Sequence, residues 1–179
     1  MTTTDDHFRL LILPYGEIDE EVLRQTADII QTHLGLRTSV LPAVKIQKRI
    51  LVGPDTADTE KLISQVSDIA RVYGQLVLGI IAADLILPQQ NQLLDGYAEV
   101  DGAAAIITLA ELPRDKRGAP APLDLKNLIL HELGHVLGNN DCPEHCLMSE
   151  KRGLYASEIS FCARCRGRME RALTHWRAR

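Results

Sequence analysis

Aromatic side chains and long hydrophobic runs are both scarce in this sequence. Only 4% of its 179 residues are aromatic, with one Trp and two Phe, so the core must consist of Leu, Ile, Val and Ala. The longest apolar runs, such as Leu76–Ala83, fall far short of the roughly 20 residues that a membrane-spanning helix needs. With 45% hydrophobic and 25% charged residues, the composition is still that of one soluble globular domain.

An excess of positive charge and a secretory signal are also lacking. The net charge of −4 argues against nonspecific nucleic-acid binding by the whole molecule. The N-terminus has neither the basic start nor the apolar stretch of a signal peptide, so we expect a reducing, cytoplasmic location and no membrane partner.

One segment departs from this charge balance, because residues 164–179 hold six Arg and a single Glu. Basic helices beside zinc sites occur in nucleic-acid-binding modules, but a charged terminal helix is more often a solvated face. We favour the solvated face and expect no nucleic-acid partner. The sequence leaves the oligomeric state open.

The four cysteines are concentrated in one short window near the C-terminus. They are Cys142, Cys146, Cys162 and Cys165. In a reducing compartment, clustered cysteines bind metal more often than they form disulfides. Four thiolates can form a closed tetrahedral zinc site of the structural kind. Two disulfides are the alternative if the protein meets an oxidising environment.

Hydrophobic periodicity in the first half alternates between strand and helix. This pattern predicts an α/β layer with a partly parallel sheet. The predicted strands are Phe8–Leu13, Arg37–Val44 and Leu76–Ala83, and the predicted helices cover 18–34 and 62–73.

The second half predicts a hairpin and two helices. Pro88–Leu94 is a polar loop, and Tyr97–Val100 is a short edge element that pairs with a strand over Ala103–Leu109. One helix covers Leu123–Leu137, and the last helix starts near Ser157, a good N-cap, and runs through Trp176.

The segment HELGH contains His131, Glu132 and His135. Residues four apart share one face of a helix, so both imidazoles can ligate one metal ion. Glu132 lies beside them, where its carboxylate can accept a proton from a water on that ion. This arrangement is typical of zinc-assisted hydrolysis. The alternative is a pair of surface histidines without a ligand role.

A third ligand is expected just beyond this helix. Gly138 can adopt the positive φ that ends the helix and turns the chain back under the metal. Asp141 follows three residues later and would complete a site with an open position for water. His145 is the rival third ligand, and Asp141 can also be read as a simple turn residue.

The motif HELGHVLGNND resembles the metzincin zinc peptidases, whose third ligand is usually His where this chain has Asp141. The downstream cysteines narrow the resemblance to the archaemetzincins, because Cys146 opens a C-x-M and a C-x-x-C follows. Fewer residues separate Cys142 from Cys146 than is usual in that family, and the spacer between Met148 and Cys162 is also shorter. The matching motifs cover Leu125–Cys165.

The resemblance implies a zinc metallopeptidase that acts on a peptide or protein substrate. It implies two zinc ions, one catalytic and one structural, and makes Met148 the methionine of the turn below the catalytic ligands. The expected fold is α/β and metzincin-like, with a mixed, mostly parallel twisted sheet packed by helices. We expect a single metallopeptidase-like domain, with an α/β part over 1–138 and a C-terminal subdomain over 139–179.

Three other residues are weaker candidates for the substrate cleft. Tyr97 and Glu99 could line it if their segment is an edge strand, because a peptide can pair with an exposed edge. Tyr155 could donate a hydrogen bond in the transition state, although a packing role in its loop is the more common one. A catalytically silent zinc-binding protein of the same fold is the main alternative function.

Overall fold

Two β-sheets and four helices make up the part of the chain that the computed structural model describes, residues 8–149 and 159–178. In chain order the elements are β1 Leu10–Tyr15, α1 Glu20–Leu34, β2 Thr38–Val40, β3 Leu51–Gly53, β4 Thr56–Asp58, α2 Thr59–Tyr73, β5 Leu76–Ile81, β6 Asp84–Leu87, β7 Gln92–Leu94, β8 Gly96–Ala98, β9 Ala104–Thr108, α3 Pro122–Val136 and α4 Ala163–Arg177. None of these helices is long and apolar enough to cross a membrane.

The main sheet has the strand order β2-β1-β5-β9-β8. Its first four strands are parallel, and β8 pairs antiparallel with β9 at one edge. The predicted mixed, mostly parallel α/β fold is therefore confirmed, as is the short edge element. Every residue of β1, β5 and β9 is buried, since helices cover the sheet on both faces.

Two hydrophobic clusters hold the helices against the main sheet. One cluster joins α1, α3 and α4 to one face through side chains such as Ile12, Leu78 and Ile107. The other joins α2 to the opposite face through neighbours such as Leu13, Val77 and Ile106. Because alternate residues of a strand point to opposite faces, continuous apolar runs supply both clusters.

The first two helices end where the sequence predicts, but α1 begins two residues later than expected, at Glu20, and α2 three residues earlier, at Thr59. Asp58 precedes α2, and its carboxylate accepts a hydrogen bond from the Lys61 backbone N–H at 3.2 Å. Such a cap satisfies one of the amide groups that the first helical turn leaves unpaired. Gly35 and Gly74 end α1 and α2 with φ of +62°, a conformation that costs glycine little.

A second, four-stranded sheet with the order β3-β4-β6-β7 was not predicted. The segment Pro88–Leu94, expected to be a loop, contains β7, which pairs antiparallel with β6. The expected strand Arg37–Val44 is also too long, because only β2 pairs continuously and Val44 makes an isolated bridge with Tyr15. Strands of three or four residues between turns carry too few alternations to show a period in the sequence.

The last helix starts later than its expected N-cap at Ser157. Residues 159–162 are not helical, and α4 begins at Ala163 with Cys162 as its N-cap. Cys162 is extended, with φ −66° and ψ 165°, and makes no side-chain cap bond, because its sulfur turns toward the other cysteines. Ser157 itself lies outside the described residues.

Candidate metal centre and active site

The helix α3 presents His131 and His135 on one face, with their rings held by backbone carbonyls. His131 Nδ1 lies 2.7 Å from the Leu147 carbonyl oxygen, and His135 Nδ1 lies 2.8 Å from that of Asn139. A carbonyl can only accept, so each Nδ1 carries the proton and each Nε2 keeps its lone pair. The two Nε2 atoms lie 3.1 Å apart, as two ligands of one ion would.

Asp141 joins this pair after the chain reverses at Gly138, whose φ is +85°. Its Oδ1 lies 3.7 Å from His135 Nε2, and the donor atoms of the three residues all fall within 4.8 Å of one another. Ligands bound tetrahedrally to zinc at about 2.0–2.1 Å would be separated by about 3.3 Å, so this donor set fits zinc. The structure does not bring His145 into the group and leaves it exposed.

Burial sets the electrostatics of the same face. Burial lowers the pKa of His131, which favours the neutral imidazole that a metal requires. Glu132 is only 6% exposed. Burial, and then the nearby carboxylates of Asp141 and Asp95, raise the pKa of Glu132 to about 8. A cation bound at the three donors would oppose this rise and favour the carboxylate form.

Gly96 of the edge strand β8 leaves space for the Glu132 side chain because it has no Cβ. A Cβ at Gly96 would lie 2.7 Å from both Cγ and Oε1 of Glu132, closer than real side-chain contacts come. In the sequence, Gly96 follows Asp95, and an Asp-Gly dipeptide indicates a turn but gives no sign of a contact with the helix that carries the histidines. The contact could not be inferred because it depends on how α3 crosses β8.

The four cysteines converge at a second site. Their sulfur atoms all lie within 4.8 Å of one another, and Cys142 Sγ is 4.0 Å from Cys162 Sγ. A disulfide requires about 2.05 Å, whereas thiolates on tetrahedral zinc at about 2.3 Å stand about 3.8 Å apart. All four thiols are free, so the structure contains neither of the two disulfides considered above. The set fits a closed metal site.

One cysteine of this site is already predisposed to ionise. Burial raises the pKa of Cys142, but hydrogen bonds from the Glu144 backbone and the Arg164 guanidinium outweigh it and lower the pKa to about 7. Arg164 Nη2 lies 3.2 Å from the Cys142 sulfur. Because metals bind the thiolate, this arrangement favours metal binding at Cys142. Burial raises the pKa of Cys146 and of Cys165, so a bound metal would have to displace their protons.

Met148 lies directly beneath the helix that carries the histidines. It is fully buried. The place where Gly134 would carry a Cβ is occupied by the Met148 sulfur, and the Phe161 ring lies 3.3 Å from that point. The glycine inside HELGH therefore allows the methionine to pack against the helix backbone. This contact agrees with the expected position of Met148, whose role as the turn methionine remains a prediction.

Two of the weaker candidates lie on the other face of the sheet. Tyr97 pairs with Ile106, whose side chain packs with α2. Glu99 accepts a hydrogen bond from Ser67 of α2 at 2.5 Å. Alternation along β8 directs Gly96 and Ala98 toward α3, so the side chains of Tyr97 and Glu99 point away from the histidines. A role for this edge segment in the cleft stays a prediction. Tyr155 lies outside the described residues.

The arginines of α4 are exposed, as a solvated face requires. Arg164 lies 3.9 Å from the Glu144 carboxylate, and Arg177 donates to the Gly35 carbonyl at 3.3 Å. At least two arginines thus contact the body of the same protein.

Comparison with known proteins gives a consistent result. A sequence profile described as Peptidase family M54 matches residues 56–171. The archaemetzincin of Thermococcus kodakarensis is 24% identical over 180 residues, which covers 92% of this chain and 96% of that protein. The archaemetzincin of Archaeoglobus fulgidus is 28% identical over 94 residues, which covers 51% of this chain and 58% of that protein.

Two crystal structures of archaemetzincins share the fold. The one from Archaeoglobus fulgidus has a TM-score of 0.77 at 20% identity and covers 90% of this chain and 99% of that chain. The one from Methanopyrus kandleri has a TM-score of 0.75 at 22% identity and covers 97% of this chain and 99% of that chain. Since the profile match spans more than half of the sequence, the chain belongs to peptidase family M54, a family of zinc metallopeptidases, and the archaemetzincin resemblance is confirmed.

Proposed function

We propose that this zinc metallopeptidase hydrolyses peptide bonds with a zinc ion held by His131, His135 and Asp141 and with Glu132 as general base. The observation that carries the proposal is the buried carboxylate of Glu132 beside three donor atoms at zinc-like spacing. The family supplies the class of reaction, and the donor set supplies its location on this chain.

A zinc ion bound there would act as a Lewis acid that polarises the substrate carbonyl and acidifies a water molecule. The Glu132 carboxylate would accept a proton from the attacking water and return it to the leaving amine. Its buried position strengthens it as a base, since the protein disfavours its charged form. With zinc bound, Asp141 would lower the net charge of the site compared with a third imidazole, so a water molecule there would be less acidic.

We further propose a second zinc ion on Cys142, Cys146, Cys162 and Cys165, so that each chain holds two. The sulfur spacing and the free thiols support this structural site. Free clustered thiols also support the cytoplasmic location that we propose. The metzincin-like character of the fold and the division at residue 138 remain our predictions.

Digestion of a peptide library tests the activity. We expect the wild type to cleave, and Glu132→Gln to lose about 10²–10⁴-fold in rate, because the proton acceptor is gone. Glu99→Gln is the matched control, since Glu99 lies on the opposite face of the sheet and contacts α2. Equal, background cleavage by the wild type and Glu132→Gln would contradict the proposal and favour a zinc-binding protein without proteolysis.

Metal analysis tests the two sites separately. We expect two zinc ions in the wild type, one after His131→Ala and one after Cys162→Ala, because each substitution removes a ligand of a different site. A single zinc in the wild type that Cys162→Ala leaves in place would refute the two-site proposal.

A further inference from the structure

Asn139 is a buried residue that touches both candidate metal sites. It follows Gly138 at the end of α3 and is 0% exposed. Its backbone carbonyl accepts the hydrogen bond from His135 Nδ1 at 2.8 Å. Its side-chain Nδ2 donates to the backbone carbonyl of Cys165 at 3.3 Å. A single residue therefore joins a ligand of the first site to a ligand of the second.

We propose that Asn139 is a positioning residue through which the four-cysteine site fixes the orientation of His135. Metal on the four cysteines holds Cys165 in place, and the Asn139 amide, anchored on Cys165, holds the carbonyl that orients the imidazole. Metal in the four-cysteine site thereby raises the metal affinity of the site formed by His131, His135 and Asp141. This inference rests on the proposed ligand sets.

The chemistry of Asn139 supports a role beyond packing. Its Oδ1 is buried and has no hydrogen-bond partner among residues 8–149 and 159–178. An unsatisfied buried acceptor destabilises a fold, and an apolar side chain of similar volume would avoid that loss. Within the described part of the chain, only the Nδ2 group of the Asn139 amide makes a hydrogen bond, and its acceptor is the backbone carbonyl of Cys165, a cysteine of the second site.

The other histidine is oriented from the same region of the chain. His131 Nδ1 bonds to the carbonyl of Leu147, which lies between Cys146 and Met148. The Leu147 backbone N–H donates to the Ser160 carbonyl at 3.0 Å, two residues before Cys162. Both acceptors are thus fixed by segments that the cysteines anchor. The hydrogen bond between Leu147 and Ser160 joins two backbone groups, so no side-chain substitution removes it. The hydrogen bond from the Asn139 side chain to Cys165 can be removed by substitution.

Cobalt titration of the metal-free full-length protein separates the two sites, because thiolate and imidazole–carboxylate ligation give different absorption bands. For Asn139→Leu we expect the affinity of the histidine site to fall about 10–100-fold, as loss of an orienting partner does for metal ligands. Its cobalt bands should also shift, while the thiolate bands stay unchanged. Asn140→Leu is the matched control, since Asn140 is the exposed neighbour. An affinity within twofold of the wild type for Asn139→Leu would overturn the proposal.

A second measurement applies even if Asn139→Leu does not fold. The proposal has metal on the four cysteines raise the affinity of the histidine site, so Cys162→Ala, which removes a ligand of the four-cysteine site, should weaken cobalt binding at the histidine site by a similar factor. Unchanged affinity in Cys162→Ala would refute the coupling. If the wild type binds no cobalt at the histidine site, both this inference and the proposed function fail. If it binds cobalt normally in every variant, only the coupling fails.

Discussion

The contact between Gly134 and Met148 predicts that two similar glycine substitutions will have opposite effects on stability. Gly134 lies inside α3 and Gly167 lies inside α4, so alanine improves the helix propensity at both positions by about 0.8–1 kcal/mol. At Gly167 the nearest atom to a new Cβ is Arg171 Nη1 at 3.6 Å, an ordinary contact on a flexible side chain.

At Gly134 the new methyl group would meet the sulfur of a methionine that is fully buried. It would also lie 3.1 Å from the Met148 Cε and 3.3 Å from Phe161. Overpacking of this kind costs about 1–3 kcal/mol, which exceeds the gain in helix propensity. The net expectation for Gly134→Ala is a loss of about 0–2 kcal/mol, against a gain of about 1 kcal/mol for Gly167→Ala.

Thermal unfolding followed by circular dichroism on the zinc-loaded protein measures both changes. A difference of about 1–3 kcal/mol between the variants corresponds to several degrees in Tm for a chain of this size. In a protein that already carries Met148→Ala, Gly134→Ala should lower the free energy of unfolding much less, because the shortened side chain makes room for the methyl group. A Tm that rises as much for Gly134→Ala as for Gly167→Ala would refute the reasoning.

Three further changes test other contacts. Gly96→Ala should reduce kcat/KM by about 10²-fold without loss of zinc, because its Cβ displaces Glu132; unchanged peptide cleavage would contradict this. Asp58→Ala should cost about 1 kcal/mol at pH 7 in urea unfolding, because it removes the cap of α2. Burial raises the pKa of Asp58, but hydrogen bonds from Lys61 outweigh it and lower the pKa, so this difference should vanish as the pH falls below about 4 and persist above it. Removal of zinc with a chelator should abolish cleavage and lower the Tm, since both sites hold structure together, and zinc should restore both.

The sequence predicts what is encoded locally. The spacing of His131 and His135 suffices to place two imidazoles on one helical face, and the structure shows them there. Long apolar runs likewise reveal the buried strands β1, β5 and β9. Each of these features follows from a period within a few residues, which needs no knowledge of the remaining fold.

Contacts between distant segments escape this reasoning. Gly96 and Glu132 are 36 positions apart in the sequence, and their contact depends on the register of β8 and the path of α3. The same is true of the hydrogen bond between Asn139 and Cys165. The second sheet was missed for a different reason, since its strands are too short for alternation to be visible. The direction of the side chains on β8 could likewise not be predicted without the strand register. That register pairs Tyr97 with Ile106 and so directs Tyr97 toward α2.

The convergence of the cysteines also bears on how freely the length of this chain can vary. Cys146 and Cys162 belong to one cluster, so the segment between them begins and ends at the same place in the fold. The entropy of closing a flexible loop grows only logarithmically, and doubling its length costs about 0.6 kcal/mol. Residues can therefore be gained or lost between Met148 and Ser160 with little effect on stability. Leu147, Met148 and Phe161 must keep their places, because they hydrogen-bond to His131 or pack beneath Gly134. The short spacer after Met148 is then one of many lengths compatible with the same active site.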